Sequence, residues 1–156
     1  LRQEGAVNAV LESSDCGIVL MHMQRDPLTM QFNPEYEDVM AQVMQFLQER
    51  AELLIANGVK SDRIALDPGF GFGKSLEHNL AMLANFEHFS QLTYPALAGI
   101  SRKSMLGKLT GRDTDGRVAP SVAAAILAAD RGARIIRVHD VQETVDSLKI
   151  WEAIKG

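Results

Sequence analysis

The sequence predicts an α/β fold in which strands and helices alternate around a parallel sheet. Short β-rich or apolar runs recur at Gly17 to Met23, Arg63 to Leu66, Ala96 to Ile100 and Arg134 to Val138. Each is followed by a segment with helical periodicity. The runs are apolar on both faces, as strands are when helices cover a parallel sheet. Their spacing of roughly 35 to 45 residues suits βα units and is too irregular for a solenoid.

The elements follow in order. Cys16 precedes the first run and is the only cysteine, which excludes an internal disulfide and an all-cysteine metal site. Its place at the head of an apolar run predicts a buried thiol in a reducing cytoplasm. Asn33 is expected to cap the next helix, with Pro34 as its first residue and Glu35 suiting the dipole. Val39, Met40, Val43, Met44, Leu47, Ala51, Leu54 and Ile55 form its apolar stripe, and Gly58 ends it. Ser75 is placed to cap a helix from Leu76 to Phe89. An alanine-rich helix over Val118 to Arg131 stops at Gly132 and can approach a sheet closely. Asp140, with Glu143 three residues on, predicts a capping box for the last helix. The buried face of that helix is expected to hold Val141, Val145, Leu148, Trp151 and Ile154, with Trp151 in the core.

With 156 residues, 46% of them hydrophobic and 23% charged, the chain has ordinary globular composition and material for one core. A formal net charge of -4 argues against non-specific nucleic-acid binding, which needs a basic surface. No apolar stretch reaches the ~20 residues that span a bilayer, and the amino end does not resemble a signal peptide. Because Leu1 is no initiator residue, the chain is expected to be part of a longer polypeptide.

Polar residues concentrate just after the strands: Met21-His22-Met23-Gln24, Asp67-Pro68-Gly69-Phe70-Gly71-Phe72-Gly73-Lys74, Ser101-Arg102-Lys103-Ser104 and Arg137-Val138-His139-Asp140. In a (β/α)8 barrel these ends would share one mouth. Glycines interleaved with Phe70 and Phe72 predict a loop that a ligand or another loop approaches. Gly73-Lys74-Ser75 matches the end of a Walker A loop, but Pro68 stands where its first glycine belongs, and Lys74 blocks a dinucleotide fingerprint. Asp67 can accept two parallel N–H donors, as on an aminopyrimidinone edge, although a salt bridge or cap would also use it. Lys103, beside Arg102, suits an anion or a ring carbonyl. Arg137 and His139 alternate on a strand end and can together face a phosphate. His22 reads as structural, and His78 and His88 as surface residues; the four histidines show no metal-ligand spacing.

In order and spacing these four segments resemble the second half of the dihydropteroate synthase family along essentially the whole chain. The resemblance implies the C-terminal half, strands 5–8 with their helices, of a TIM-type pterin-binding barrel over residues 1–156, with the N-terminal half absent. It implies condensation of 6-hydroxymethyl-7,8-dihydropterin diphosphate with p-aminobenzoate in folate biosynthesis, with sulfonamides competing at the p-aminobenzoate position. Asp67, Lys103, Arg137, Met21, Gly99 and Phe72 would bind pterin. Phe72, Ser101, Arg102 and Lys103 would line the p-aminobenzoate side, Arg137 and His139 would hold diphosphate, and Lys103, Arg137 and His139 would be catalytic. Magnesium would be used with the diphosphate, its ligand lying in the missing half, so no metal ligand is expected here. Two such half-barrels could pair their open edges as a homodimer. A half-barrel is expected to be inactive alone. A methyltetrahydrofolate:corrinoid methyltransferase would share the aspartate grip but has no use for a diphosphate site.

Overall fold

The computed structural model describes residues 5–13, 15–24 and 34–155. The order is α1 (Ala6–Glu12), β1 (Ile18–Met21), α2 (Val39–Ala56), β2 (Ile64–Asp67), α3 (Leu76–Ala84), α4 (Glu87–Ser90), β3 (Leu97–Ala98), α5 (Ser104–Thr110), α6 (Val118–Asp130), β4 (Ile135–Ile136) and α7 (Val141–Lys155), with single 3-10 turns before β2 and α6. All four expected strands form, three of them shorter than their apolar runs and β2 shifted by one residue to end on Asp67, and they lie side by side in chain order. β1 pairs with β2 in parallel, with Leu20 opposite Leu66 and Met21 opposite Asp67. A parallel bridge joins Leu66 to Ala96, and β3 pairs with β4 with Leu97 opposite Ile135.

This register sorts the side chains, because alternate residues of a strand face opposite ways. Leu20, Ile64, Leu66, Ala96, Ala98 and Ile136 face the helices and join one core with Val43, Leu47, Leu54, Phe70, Met82, Phe86 and Phe89. Val19, Ala65, Leu97 and Ile135 face the other way. Ala65 and Leu97 in the central strands are buried, while Val19 and Ile135 on the outer strands are 49% and 39% exposed. One step further along that concave face come Met21, Asp67, Gly99 and Arg137. The mouth of the sheet is thus polar where its floor is apolar.

Several helix expectations change. α2 begins at Val39, capped by the Asp38 carboxylate, which accepts from the Ala41 N–H at 3.0 Å. Pro34 precedes the helix, and the proposed cap, Asn33, lies outside the described residues. The intervening backbone is drawn toward the glycine loop, where the Tyr36 hydroxyl donates to Gly73 O at 2.8 Å. Val39, Val43, Leu47, Ala51 and Leu54 are buried as the stripe predicts, but Ile55 is exposed at the frayed end. Ser75 does cap α3, in a box closed by His78 rather than an acidic residue. The helix expected to reach Phe89 breaks at Asn85, and Phe86 and Phe89 turn into the core across that break. Cys16 is exposed, because it sits in the turn between α1 and β1 rather than in the strand.

The predicted buried face of α7 does not form. Val141, Val145 and Ile154 are exposed, the last at 81%, and only Thr144 is buried. Amphipathic spacing marks a stripe that some neighbour must cover, and among the described residues α7 packs chiefly on α6. Trp151 is accordingly only half-buried, with Nε1 donating to Asp130 Oδ1 at 3.0 Å. The Asp140 carboxylate is engaged by Arg102 rather than by the start of α7.

Candidate active site

The mouth of the sheet gathers most of the residues singled out by the sequence. Asp67 ends β2 with 1% exposure. Its Oδ1 accepts the Gly69 N–H at 2.7 Å, and its Oδ2 accepts Arg137 Nη2 at 3.2 Å. Burial raises this carboxyl above its ordinary value, against the Gly69 amide and the charges of Arg137, Lys103 and Lys74, which favour the anion. Each oxygen keeps a further lone pair for a ligand.

The loop after Asp67 is shaped by its glycines and by one lysine. Gly69 has φ +73, and a Cβ there would stand 1.9 Å from His22 O, so no side chain fits against the end of β1. Phe70 is fully buried and stacks on Phe86 with ring centroids 6.2 Å apart. The aromatic loop therefore divides: Phe70 belongs to the core, and Phe72 alone reaches the cleft. Lys74, 4% exposed, donates to Gly69 O at 2.9 Å and Phe72 O at 3.1 Å and meets His22 Nδ1 at 2.9 Å. Burial pushes its ammonium down to about 7, against the pull of Asp67. Asn79 of α3 completes the fastening, its Oδ1 accepting the Gly71 N–H at 2.7 Å.

Lys103 donates to Phe70 O, and its Nζ lies 4.4 Å from the Phe72 ring centroid, a cation–π contact. Burial lowers it to about 8, partly offset by Asp67 and reinforced by Arg137. Arg137 rises from the end of β4 across Gly99, where a Cβ would lie 2.8 Å from its Nη2. A side chain at position 99 would push the guanidinium away from the end of β3. Ser101 accepts the His139 backbone N–H at 3.1 Å and meets His139 Nδ1 at 3.0 Å.

Phe72, Gly99, Ser101, Lys103, Arg137 and His139 line one open cleft of about 340 Å³; Asp67 does not line it but is joined to it through its bond from Arg137. Met21 lies level with Asp67 on β1, and its Cγ is 3.4 Å from the position a Gly69 Cβ would take. Arg102 stands apart. At φ 55 its side chain turns away and forks onto Asp140, with Nε to Oδ2 at 3.0 Å and Nη2 to Oδ1 at 2.5 Å. Its own N–H is held by Ser121 Oγ at 2.8 Å. Among the described residues no group of three or more His, Cys, Asp or Glu could hold a metal ion, and Asp67 is already engaged.

Sequence reasoning did not find Lys74, His22, Asn79 and Tyr36 as the scaffold of the glycine loop. The Gly73-Lys74-Ser75 run was the available signal, since a lysine between a glycine turn and a helix cap is well placed to reach back over the loop.

The family model described as pterin binding enzyme matches residues 1–139. The dihydropteroate synthase of Neisseria meningitidis serogroup C is 51% identical over 156 residues, covering 99% of this chain and 55% of that protein. The Yersinia pestis dihydropteroate synthase, solved as a sulfonamide drug complex, superposes with a TM-score of 0.96 at 44% identity, covering 99% of this chain and 56% of that one. The Xanthomonas albilineans enzyme, solved with 7,8-dihydropteroate, gives 0.92 at 46% identity over 100% and 58%. The chain spans about half the length of these relatives and matches their C-terminal portion, so its four strands are part of a TIM-type barrel. With the family model covering most of its length and its polar mouth assembled at the strand ends, the chain belongs to the pterin-binding enzyme family.

Proposed function

We propose that this chain is the part of a dihydropteroate synthase that grips the pterin, one side of p-aminobenzoate and the departing diphosphate. The observation that carries this reading is a cleft lined by Lys103, Arg137 and His139, whose Arg137 is held by the buried carboxylate of Asp67. A carboxylate facing two N–H donors suits the aminopyrimidinone edge of a pterin, and the flat guanidinium of Arg137 suits its ring face. Met21 and Gly99 complete the pterin wall. Phe72 and Ser101 border the p-aminobenzoate side, while Arg102 shapes it from behind.

In the reaction the aniline nitrogen of p-aminobenzoate bonds to the pterin methylene carbon, the bond from that carbon to the diphosphate oxygen breaks with its electron pair, and the aniline loses a proton. Positive charge grows on the methylene as the anion departs. Asp67 opposes the first, and Arg137, His139 and Lys103 stabilise the second. No covalent enzyme intermediate is required. Magnesium, held by residues beyond this chain, would add charge neutralisation at the diphosphate. The aniline proton passes to water or to the released diphosphate, so no residue of this chain is needed to accept it.

The same reading places the protein in the cytoplasm, makes it a sulfonamide target and gives it a homodimeric state. Residues 1–156 are one partial domain, and a polypeptide of these residues alone binds ligands weakly and does not turn over. A corrinoid methyltransferase reading leaves Arg137 with His139 unused. The test is dihydropteroate and diphosphate formation by the full-length protein, with Lys103→Ala, Asp67→Asn and the 156-residue chain assayed beside it. Full-length protein that binds pterin but releases no diphosphate would overturn the assignment.

A further inference from the structure

We infer that Ser101 is a positioning residue that sets the tautomer of His139, so that the imidazole meets the cleft as a neutral Nε2–H donor. The inference rests on the reading above only for what the donor is used for; the tautomer follows from counting protons. Ser101 is buried, and its Oγ has one hydrogen and two acceptor lone pairs. One lone pair receives the His139 backbone N–H at 3.1 Å, which fixes the oxygen in place. The remaining partner is His139 Nδ1, 3.0 Å away. If Nδ1 carried the imidazole proton, Oγ would accept twice and its own buried hydrogen would have no acceptor among the described residues. That arrangement would leave the hydroxyl of a residue only 6% exposed without a protein acceptor, facing the cleft. If the hydroxyl donates to Nδ1 instead, every group is used, and the single proton of the neutral ring stands on Nε2. The backbone contact holds Oγ beside the ring.

The consequence is chemical. A neutral imidazole with a bare Nε2 would turn a lone pair toward an incoming anion and repel it. With Nε2–H it donates without first being protonated, so His139 serves the anion as a neutral ring. Groups that bear on the ring are Lys103 after β3, Arg137 just after β4 and Asp140 beside it. None of these supplies Nδ1 with a donor in the structure. A serine orienting a histidine from behind is the relationship that carboxylates or carbonyls have to metal-bound imidazoles, with the direction of the hydrogen bond reversed.

The experiment is a two-bond 15N–1H spectrum of the uniformly 15N-labelled full-length protein at pH 8, without ligand, the His139 signals being assigned by their loss in His139→Gln. The expected result is a protonated Nε2 and a pyridine-like Nδ1 in the wild type. Ser101→Thr keeps the pattern, whereas Ser101→Ala relaxes it toward a mixture of tautomers. A protonated Nδ1 in the wild type would overturn the inference, as would an unchanged pattern in a folded Ser101→Ala protein. If Ser101→Ala does not fold, the wild-type and Ser101→Thr spectra still decide. Failure of the functional reading looks different: the Nε2–H pattern is present, but titration with inorganic diphosphate leaves the His139 signals unmoved.

Discussion

Replacing Asp67 by Asn should separate folding from binding. The carboxylate is 1% exposed, with one oxygen on the Gly69 N–H and the other on Arg137. Asparagine keeps the first acceptor and loses the second. Because Arg137 is 57% exposed and can turn to water, the lost pair is worth about 1 kcal/mol or less. Against this, the variant no longer desolvates a charge, a penalty of several kcal/mol for a buried ion. Folding stability should therefore stay level or rise by about 1 to 2 kcal/mol. Pterin binding should move oppositely, because a charged acceptor disappears and an amide N–H faces the ligand's own N–H. Together these cost roughly 2 to 4 kcal/mol, or about thirty- to nine-hundred-fold in Kd. Urea denaturation and calorimetric titration with a pterin analogue, both on the full-length protein, read the two effects. The pH dependence gives a third check. A carboxyl whose folded pKa is raised favours the fold at acid pH and loses that contribution as pH rises through its folded value, so the wild type should gain on Asp67→Asn as pH falls. An affinity within twofold of wild type would remove Asp67 from the pterin site. A loss of more than about 2 kcal/mol of stability would refute the desolvation argument.

Turnover should decline as pH rises through about 8, where burial lets Lys103 lose its proton, and Lys103→Arg should carry that limb upward; an unmoved limb assigns it to another group. Lys74→Met should cost about 1 to 3 kcal/mol at neutral pH by stranding Gly69 O and Phe72 O. Between about 7 and 10.5 the unfolded lysine holds a proton that folded Lys74 has released, so wild-type stability relative to Lys74→Met should climb with pH, measurable as urea midpoints at pH 7 and 9. Phe70→Ala should cost about 3 to 5 kcal/mol in the same denaturation assay, since its ring is wholly buried against Phe86; a cost under about 1 kcal/mol would return Phe70 to the ligand side.

The strand–helix alternation was legible because each strand is a continuous apolar run, and a buried parallel strand needs no more specific signature. Asp67, Lys103, Arg137 and His139 were legible for a related reason: charged residues directly after apolar runs have few uses except at a mouth. What stayed hidden depends on contacts distant in sequence. Phe70 and Phe72 are alike in the chain, yet one enters the core and the other faces the cleft, because Gly69 and Gly71, both at positive φ, set their directions. Lys74 looks like a surface lysine until two carbonyls and a histidine ring nitrogen from two loops surround it. Helix ends misled where a tertiary bond outranked the local cap, as with Tyr36 on Gly73 ahead of α2 and Arg102 on Asp140 ahead of α7.

The left-handed backbone of Arg102 constrains how this loop can drift over generations. Ordinary L-residues hold that conformation at a cost of about 1 to 2 kcal/mol, and here the fork on Asp140 and the bond from Ser121 offset it. Glycine or asparagine would relieve the backbone but release Asp140. Lysine would keep the charge and lose the fork, and valine or isoleucine would satisfy neither demand. Because the same reversal aims Ser101 and Lys103 into the cleft, a change at position 102 reaches the ligand side through its neighbours. Lineages that alter Arg102 are therefore expected to alter Asp140 as well, so that the two positions vary together or not at all.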